Sequence, residues 1–474
     1  MNNQSILFNF INHLSLHNQP FVLRHNGQPP EWDDEALHQQ TYNYNSELYA
    51  LFSTIETVTS EQRLRILFQL LKASRKGFSH NRRLILESTT NFLLKILHPD
   101  KVLTVFLALK RVRANHKHTT RAILKYIFEH PQSLDMVVCR RPAVVDCLEH
   151  ALGKNVARAC AKFITSNEEE TYLNQNLFRF VNNRERVKTI LQLLYRYQGL
   201  QTTTGVYQES HQKYTQILEN QQQRPKTVTA TNRGDIAATL VHLYRGGQSE
   251  QLMEAVENYV NQAAAKLPRF NKTLALVFDA SASTQSYGDR EYCCLAQSVA
   301  LKLVLEKCCT KVKVYQVAGT VDVLPIPQGY SDIATSLLDA VKGNPDVIAI
   351  VSDGYENLYP GDLSRVVASL PQIGIETPIV FCHSKFTKQD DLELRRPAKN
   401  LPQLEFWHQE DFGNLMLSMM SMIGEKSEAD LQEYLLGKLN QFESEFMNVE
   451  SCSGTTKLEE SVVFDSNKAI IKYL

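Results

Sequence analysis

The chain has 474 residues, 43% of them hydrophobic and 22% charged, with 51 Lys+Arg against 51 Asp+Glu. That length suits two or three domains, and the apolar content supports a sizeable core of an ordinary soluble kind. Met1 to Pro20 lacks the basic start and apolar centre of a secretory signal, and no apolar run approaches the roughly 20 residues of a membrane span. The expectation is therefore a cytoplasmic protein with no membrane partner. The 9 cysteines show no Cys-x-x-Cys spacing and read as reduced, buried thiols.

Residues 1–58 form an N-terminal segment, partly helical, in which Asn26-Gly-Gln-Pro-Pro30 precedes a helical pattern near Tyr42 to Thr54. From 59 to 198 the apolar residues recur at helical spacing. Leu64, Leu67, Leu70 and Leu71 share one face, and Ile85, Phe92, Leu93 and Ile96 another. His98-Pro99-Asp100 and His130-Pro131-Gln132 punctuate this region with prolines 32 residues apart, compatible with a HEAT-like array of paired helices.

Between Glu61 and Thr165 there are 20 Lys+Arg against 7 Asp+Glu, an excess of 13 in a chain of zero net charge. A solvated helical face ordinarily mixes its signs. An excess of this size points to an anionic partner, nucleic acid first, unless the face packs on the chain's own acidic part. The candidate contacts are Lys110, Arg111, Arg113, Lys117 and Arg121.

Residues 199–233, rich in Gln and Thr, read as a linker or exposed loop. Residues 234–270 hold a further helical pair, Gly234–Arg245 and Ser249–Lys266. From 271 to 424 strands alternate with helices, the pattern of a doubly wound α/β domain. The expected strands are Thr273–Asp279, Lys311–Val317, Val321–Ile326, Asp346–Val351, Thr377–Cys382 and Leu404–Trp407. Helices are expected near Arg290–Lys307, Asp332–Lys342, Leu363–Leu370 and Asp411–Ile423. The third strand follows the second too closely for a crossover, so it should be an antiparallel edge. The fold class is thus α + α/β, a helical array followed by a Rossmann-like domain.

The stretch Thr273 to Phe278 reads as a fully buried central strand, and it ends in Asp279, Ser281, Ser283 and Thr284. A carboxylate and hydroxyls at alternate positions can aim their oxygens at one point, which suits a hard cation such as Mg²⁺. This Asp-x-Ser-x-Ser resembles the metal-ion-dependent adhesion site (MIDAS) of von Willebrand factor A (vWA) domains. Ser352-Asp353-Gly354 stands where that family carries Thr/Ser-Asp-Gly, and Ser331-Asp332 stands where it carries Thr followed by Asp or Asn.

The resemblance covers about residues 271–424 and implies the strand order 3-2-1-4-5-6. It implies that Ser281, Ser283 and Ser331 supply hydroxyl ligands to Mg²⁺ or Mn²⁺, and that Asp279 and Asp353 act directly or through water. It also implies an open coordination position for a partner's acidic oxygen. The whole chain, helical part first and vWA part last, resembles the Ro (TROVE) proteins, binders of small structured RNAs. It resembles as well the intracellular vWA adaptors that partner MoxR-type AAA+ ATPases, in which a MIDAS grips an acidic side chain.

No catalytic residue is expected. A phosphatase of the haloacid-dehalogenase kind needs a second Asp where Ser281 stands, Ala280 and Ala282 replace the glycines of a nucleophile elbow, and no P-loop is present. Within the final segment, 425–474, Ser427–Phe446 reads as an amphipathic helix with Leu431, Tyr434, Leu435, Leu439 and Phe442 on one side.

Overall fold

The computed structural model describes residues 4–24, 27–166, 170–195, 235–247, 249–285, 291–320, 324–385 and 396–453. The expected linker at 199–233 lies outside the described residues. The chain divides into two units, one of Met1–Asn12 with Lys226–Tyr434, the other of His13–Pro225 with Leu435–Leu474.

The second unit is helical. Its helices include Ser60–Lys72, His80–Ile96, Pro99–Arg111, Lys117–Glu129, Arg141–Leu152, Lys154–Ser166 and Arg184–Tyr195. The starts carry side-chain caps: Thr59 accepts from the Gln62 N–H and Ser79 from the Arg82 N–H. Ser60–Lys72 packs on both His80–Ile96 and Pro99–Arg111, and Arg141–Leu152 packs on Lys117–Glu129 and Lys154–Ser166. Leu64, Leu67, Leu70 and Leu71 are buried as their spacing required.

The two His-Pro sequences make the same joint. His98 Nδ1 accepts from the Asp100 N–H at 3.2 Å, and His130 Nδ1 accepts from the Gln132 N–H at 3.2 Å. Burial depresses both imidazoles, His130 to about 4, so each stays neutral and keeps its acceptor. The pattern expected over Tyr42–Thr54 is not one helix. A helix from Glu35 ends at Tyr44, and the Asn45 side chain accepts from the Glu47 and Leu48 N–H groups to start a second, Ser46–Leu51. Asparagine is a better cap than helix interior, and here it wins.

The first unit holds a parallel sheet of β1 (Phe270–Asp279), β2 (Cys309–Val317), β3 (Val347–Ser352), β4 (Ile379–Ser384) and β5 (Gln403–Phe406). Their order is β2-β1-β3-β4-β5, every pair parallel. β1 and β3 are buried on both faces, which is why they read as unbroken apolar runs. Ala275, Val277, Ile348 and Ile350 face a cluster with Ile333, Leu337 and Leu363. Leu274, Leu276 and Phe278 alternate to the other side, and Cys293–Cys308 packs along the strands as well.

The antiparallel edge strand is a correction. Residues 321–323 lie outside the described residues, and 324–326 are not in a strand. Pro325 and Pro327 have no N–H to give a ladder. On either side of 321–323, the Thr320 N–H donates to the Ile326 carbonyl at 3.1 Å and the Gly319 N–H to the Gln328 carbonyl at 2.9 Å. Gly319 has φ +67°, and a Cβ there would lie 2.7 Å from the Ala280 Cβ, so only glycine lets this loop sit on the end of β1. With that strand removed, the neighbours are those expected. β2 and β3 flank β1, and the winding reverses between β1 and β3, where open α/β sheets form their crevice.

The C-terminal helix runs Glu425–Ser453, longer than its apolar stripe suggested, and buries Leu431, Leu435 and Leu439. In the second unit its Phe442 meets Phe92 edge to face at 4.7 Å. Eight cysteines among the described residues are outside any disulfide, and seven of them are buried. Burial pushes the Cys382 thiol up to about 12, so it is not a nucleophile at neutral pH.

Candidate metal centre and basic face

β1 delivers Asp279 to the crevice, and the backbone beyond it turns at once. Asp279 Oδ1 accepts from the Ser281 N–H at 2.9 Å. The short turn Ala282–Thr284 follows, closed by the Thr284 hydroxyl donating to the Ser281 carbonyl at 2.8 Å. This places Ser281 Oγ and Ser283 Oγ 3.1 Å apart. Adjacent ligands in an octahedral Mg²⁺ shell are about 3.0 Å apart, from metal–oxygen distances of roughly 2.1 Å.

β3 arrives beside β1 and supplies the second group. Ser352 Oγ donates to Asp279 Oδ2 at 2.7 Å and accepts from the Gly354 N–H at 3.0 Å. Asp353 follows, with Oδ1 accepting from the Tyr355 N–H at 3.1 Å. Its carbonyl accepts from Nε2 of buried His383 at 3.0 Å, and His383 Nδ1 then accepts from the Gln403 amide at 3.0 Å.

The third loop is tied to both. The Gly329 carbonyl accepts from the Ala282 N–H at 3.1 Å. Two residues on, the buried Ser331 hydroxyl donates to the Tyr355 carbonyl at 2.6 Å and accepts from the Asn357 N–H at 2.9 Å. One lone pair of that hydroxyl remains for a metal. Asp332 caps the following helix, its carboxylate accepting from the Thr335 N–H at 3.0 Å.

Asp279, Ser281, Ser331, Ser352 and Asp353 are all buried, and Ser283 is half-buried. Burial, and after it the field of Asp353, raise the Asp279 carboxyl above the usual carboxylate range. Among the described residues no Lys or Arg forms an ion pair with Asp279. Two crowded carboxylates with three hydroxyls, all hard oxygens, fit a divalent cation of the Mg²⁺ class.

Ser352 is the residue that sequence reasoning did not single out as functional. Its signal was the hydroxyl immediately before Asp353, and its work is to hold the Asp279 carboxylate.

The basic residues are placed less uniformly. Lys110 and Arg111 end the helix Pro99–Arg111, where cations also complement the helix dipole. Lys110 pairs with Asp146 at 2.8 Å, and Arg121 lies 3.6 Å from Glu87. Arg111 donates to the Arg24 and Gln28 carbonyls. Arg113, at φ 55°, and Lys117, at the head of Lys117–Glu129, are exposed and have no ion-pair partner among the described residues. Lys76, Arg83, Lys125 and Lys154 are exposed in the same way.

Comparison with known proteins gives little to add. No family model matches the chain, and no curated protein matches it. Among solved structures it is similar to the crystal structure of the Deinococcus radiodurans RO (RSR) protein, at 13% identity and a TM-score of 0.36 over 87% of this chain and 99% of that one. At that TM-score the likeness adds nothing to the reading of the site. No helix among the described residues is long and apolar enough to cross a membrane.

Proposed function

We propose that the chain is a non-catalytic binding protein, in which a vWA-type α/β unit carries a Mg²⁺- or Mn²⁺-dependent MIDAS and a basic helical array takes a small structured RNA, as a Ro-like ribonucleoprotein would. The observation that carries the metal half is the buried pair Asp279 and Asp353, ringed by hydroxyls at the switch point of the sheet. Asp279 and Asp353, with Ser281, Ser283 and Ser331, would hold the ion. The ion would supply an electrophilic contact for one oxygen of a partner, and the chain's own hydroxyls would orient it. Calorimetry with Mn²⁺ tests this: Asp279→Ala should abolish binding while the sheet stays folded, and equal binding by both proteins would refute it.

Support for the RNA half is the excess of positive charge between residues 61 and 165. Each phosphate neutralised releases condensed counterions, so affinity should fall with a log–log salt slope of about −0.7 per contact for single strands. Six contacts would cost roughly two to three decades between about 50 and 200 mM salt. Charge reversal of Arg113 and Lys117, the two cluster residues whose side chains have neither an ion-pair nor a hydrogen-bond partner among the described residues, should weaken RNA more than Asp279→Ala does.

A second reading has its own support. Lys110, Arg111 and Arg121 already hold partners within the chain, which favours an intracellular vWA adaptor that grips an acidic residue of a protein such as a MoxR-type AAA+ ATPase. That reading expects partner binding to depend on Asp279 and only weakly on salt. Filter binding with structured and single-stranded RNA separates the two. Absence of binding tighter than about 10 μM at low salt, where non-specific polyanion contact should already register, would leave the adaptor. Under either reading no turnover of phosphate esters, nucleotides or peptides is expected. A signal lost on Asp279→Asn would overturn that.

A further inference from the structure

A second group of metal-competent side chains lies in the helical unit, around the buried carboxylate of Asp34. Oδ1 of Asp34 accepts from Arg65 Nε at 2.8 Å. Oδ2 faces a ring of nitrogens: His13 Nε2 at 2.6 Å, Gln62 Nε2 at 2.7 Å, His17 Nδ1 at 3.5 Å and His38 Nε2 at 3.6 Å. One ligand atom each from His13, Asp34 and His38 lies within 4.8 Å of the others. Ligands of a tetrahedral Zn²⁺ at roughly 2.0–2.1 Å are about 3.3 Å apart, so small side-chain shifts would close the set.

We propose that His13 Nε2, His38 Nε2 and Asp34 Oδ2 form a site for a borderline transition-metal dication of the Zn²⁺ class, distinct from the hard-oxygen site. Imidazole nitrogens select such ions over Mg²⁺. The surroundings are those of a metal ligand set. His38 Nδ1 lies 2.8 Å from the Tyr49 hydroxyl, and Arg65 fixes the carboxylate oxygen that the ion would not use. On binding, the ion would replace the His13 and Gln62 hydrogens on Oδ2 and would draw His38 Nε2 away from the Gln62 side-chain oxygen, now 2.8 Å from it. Each imidazole would coordinate through Nε2 with its proton on Nδ1, where that of His38 meets the Tyr49 oxygen at 2.8 Å.

The protonation states suit this exchange. Burial alone would raise the Asp34 carboxyl, but hydrogen bonds from His13, His38 and Gln62 override it and hold the group well below the usual range. The charges permit a dication too: Asp33, 3.6 Å from Arg65, and Asp34 outweigh that single guanidinium. His13 is 22% exposed, giving the ion a way in that Asp34, at 4%, and His38, at 0%, do not offer.

The test is calorimetric titration of the full chain with Zn²⁺ in excess Mg²⁺, with Co²⁺ as a spectroscopic substitute. One Zn²⁺ per chain is expected, with visible tetrahedral Co²⁺ bands. Both should survive Asp279→Ala, which removes the other site. His13→Gln keeps a polar group at a partly exposed position and so leaves the fold intact. It should weaken Zn²⁺ at least tenfold and remove the Co²⁺ bands. His38→Gln, at a buried position, is read only if its melting curve stays cooperative, and the His13→Gln result stands without it. Zn²⁺ binding that is absent, unchanged in His13→Gln, or lost on Asp279→Ala would overturn the proposal.

Discussion

Asp279 and Asp34 are the same residue type with nearly the same burial, and their carboxyls move in opposite directions. Asp34 is met by a guanidinium, an amide and imidazoles, and it is held low. Asp279 receives a hydroxyl and one backbone N–H but sits in the field of Asp353, and it is held high. Burial alone says nothing of the sign. The donors around the oxygen decide whether the ionised form of a buried carboxylate is favoured or disfavoured.

The largest expected effect breaks the first half of that contrast. Asp34→Ala leaves Arg65, fully buried, without its carboxylate, and should cost about 3–5 kcal/mol in a urea melt of the helical unit. The pH dependence follows from the depressed carboxyl. Its stabilisation is full above the unfolded value near 3.8 and is lost as pH falls below it.

Asp279 should respond with the reverse sign. A carboxyl raised in the folded state costs stability once it ionises, so the metal-free protein should weaken as pH rises from 3.8 through the folded value. Asp279→Asn should therefore stabilise the metal-free protein at neutral pH. Under the proposed metal site, Mn²⁺ should protect the wild type, and this substitution should erase that protection. Thermal melts with and without Mn²⁺ check both.

Ser352→Ala sharpens the comparison by removing a buried side-chain donor on Asp279, for about 1–2 kcal/mol and weaker Mn²⁺ binding. The smallest effect is expected from His17→Ala, which removes contacts to the exposed Asp33 and to Gln62. About 1 kcal/mol or less should be lost, measured by the same urea melts.

The α/β unit was legible because a parallel strand buried on both faces writes an unbroken apolar run, as Thr273–Phe278 and Val347–Val351 do, and because its polar residues gather where those runs stop. The third strand misled because Val321 and Val323 look extended, while Pro325 and Pro327 remove the donors a ladder needs. The network at Asp34 was not legible in the sequence pattern, since apart from His38, four residues on, its hydrogen-bond partners His13, Gln62 and Arg65 lie 21 to 31 residues away. The charge count also conceals structure. Arg65 is buried on Asp34, and Arg63 donates to the Ser53 and Ile55 carbonyls. A tally of letters assigns both to the basic face, although neither guanidinium is available to a phosphate.

The hydrogen bond between Ser352 and Asp279 spans 73 residues of chain. Helices in the other unit can form from neighbours four residues apart, whereas this contact waits until β3 has found β1 across two intervening segments. Loop-closure entropy must be met before such a pairing rewards the chain, so the oxygen cluster assembles late on the folding route. An ion that needs the assembled cluster cannot guide the early search. If the proposed site takes a metal, its grip should register as slower unfolding with little change in the folding rate, a brake on escape from the native state.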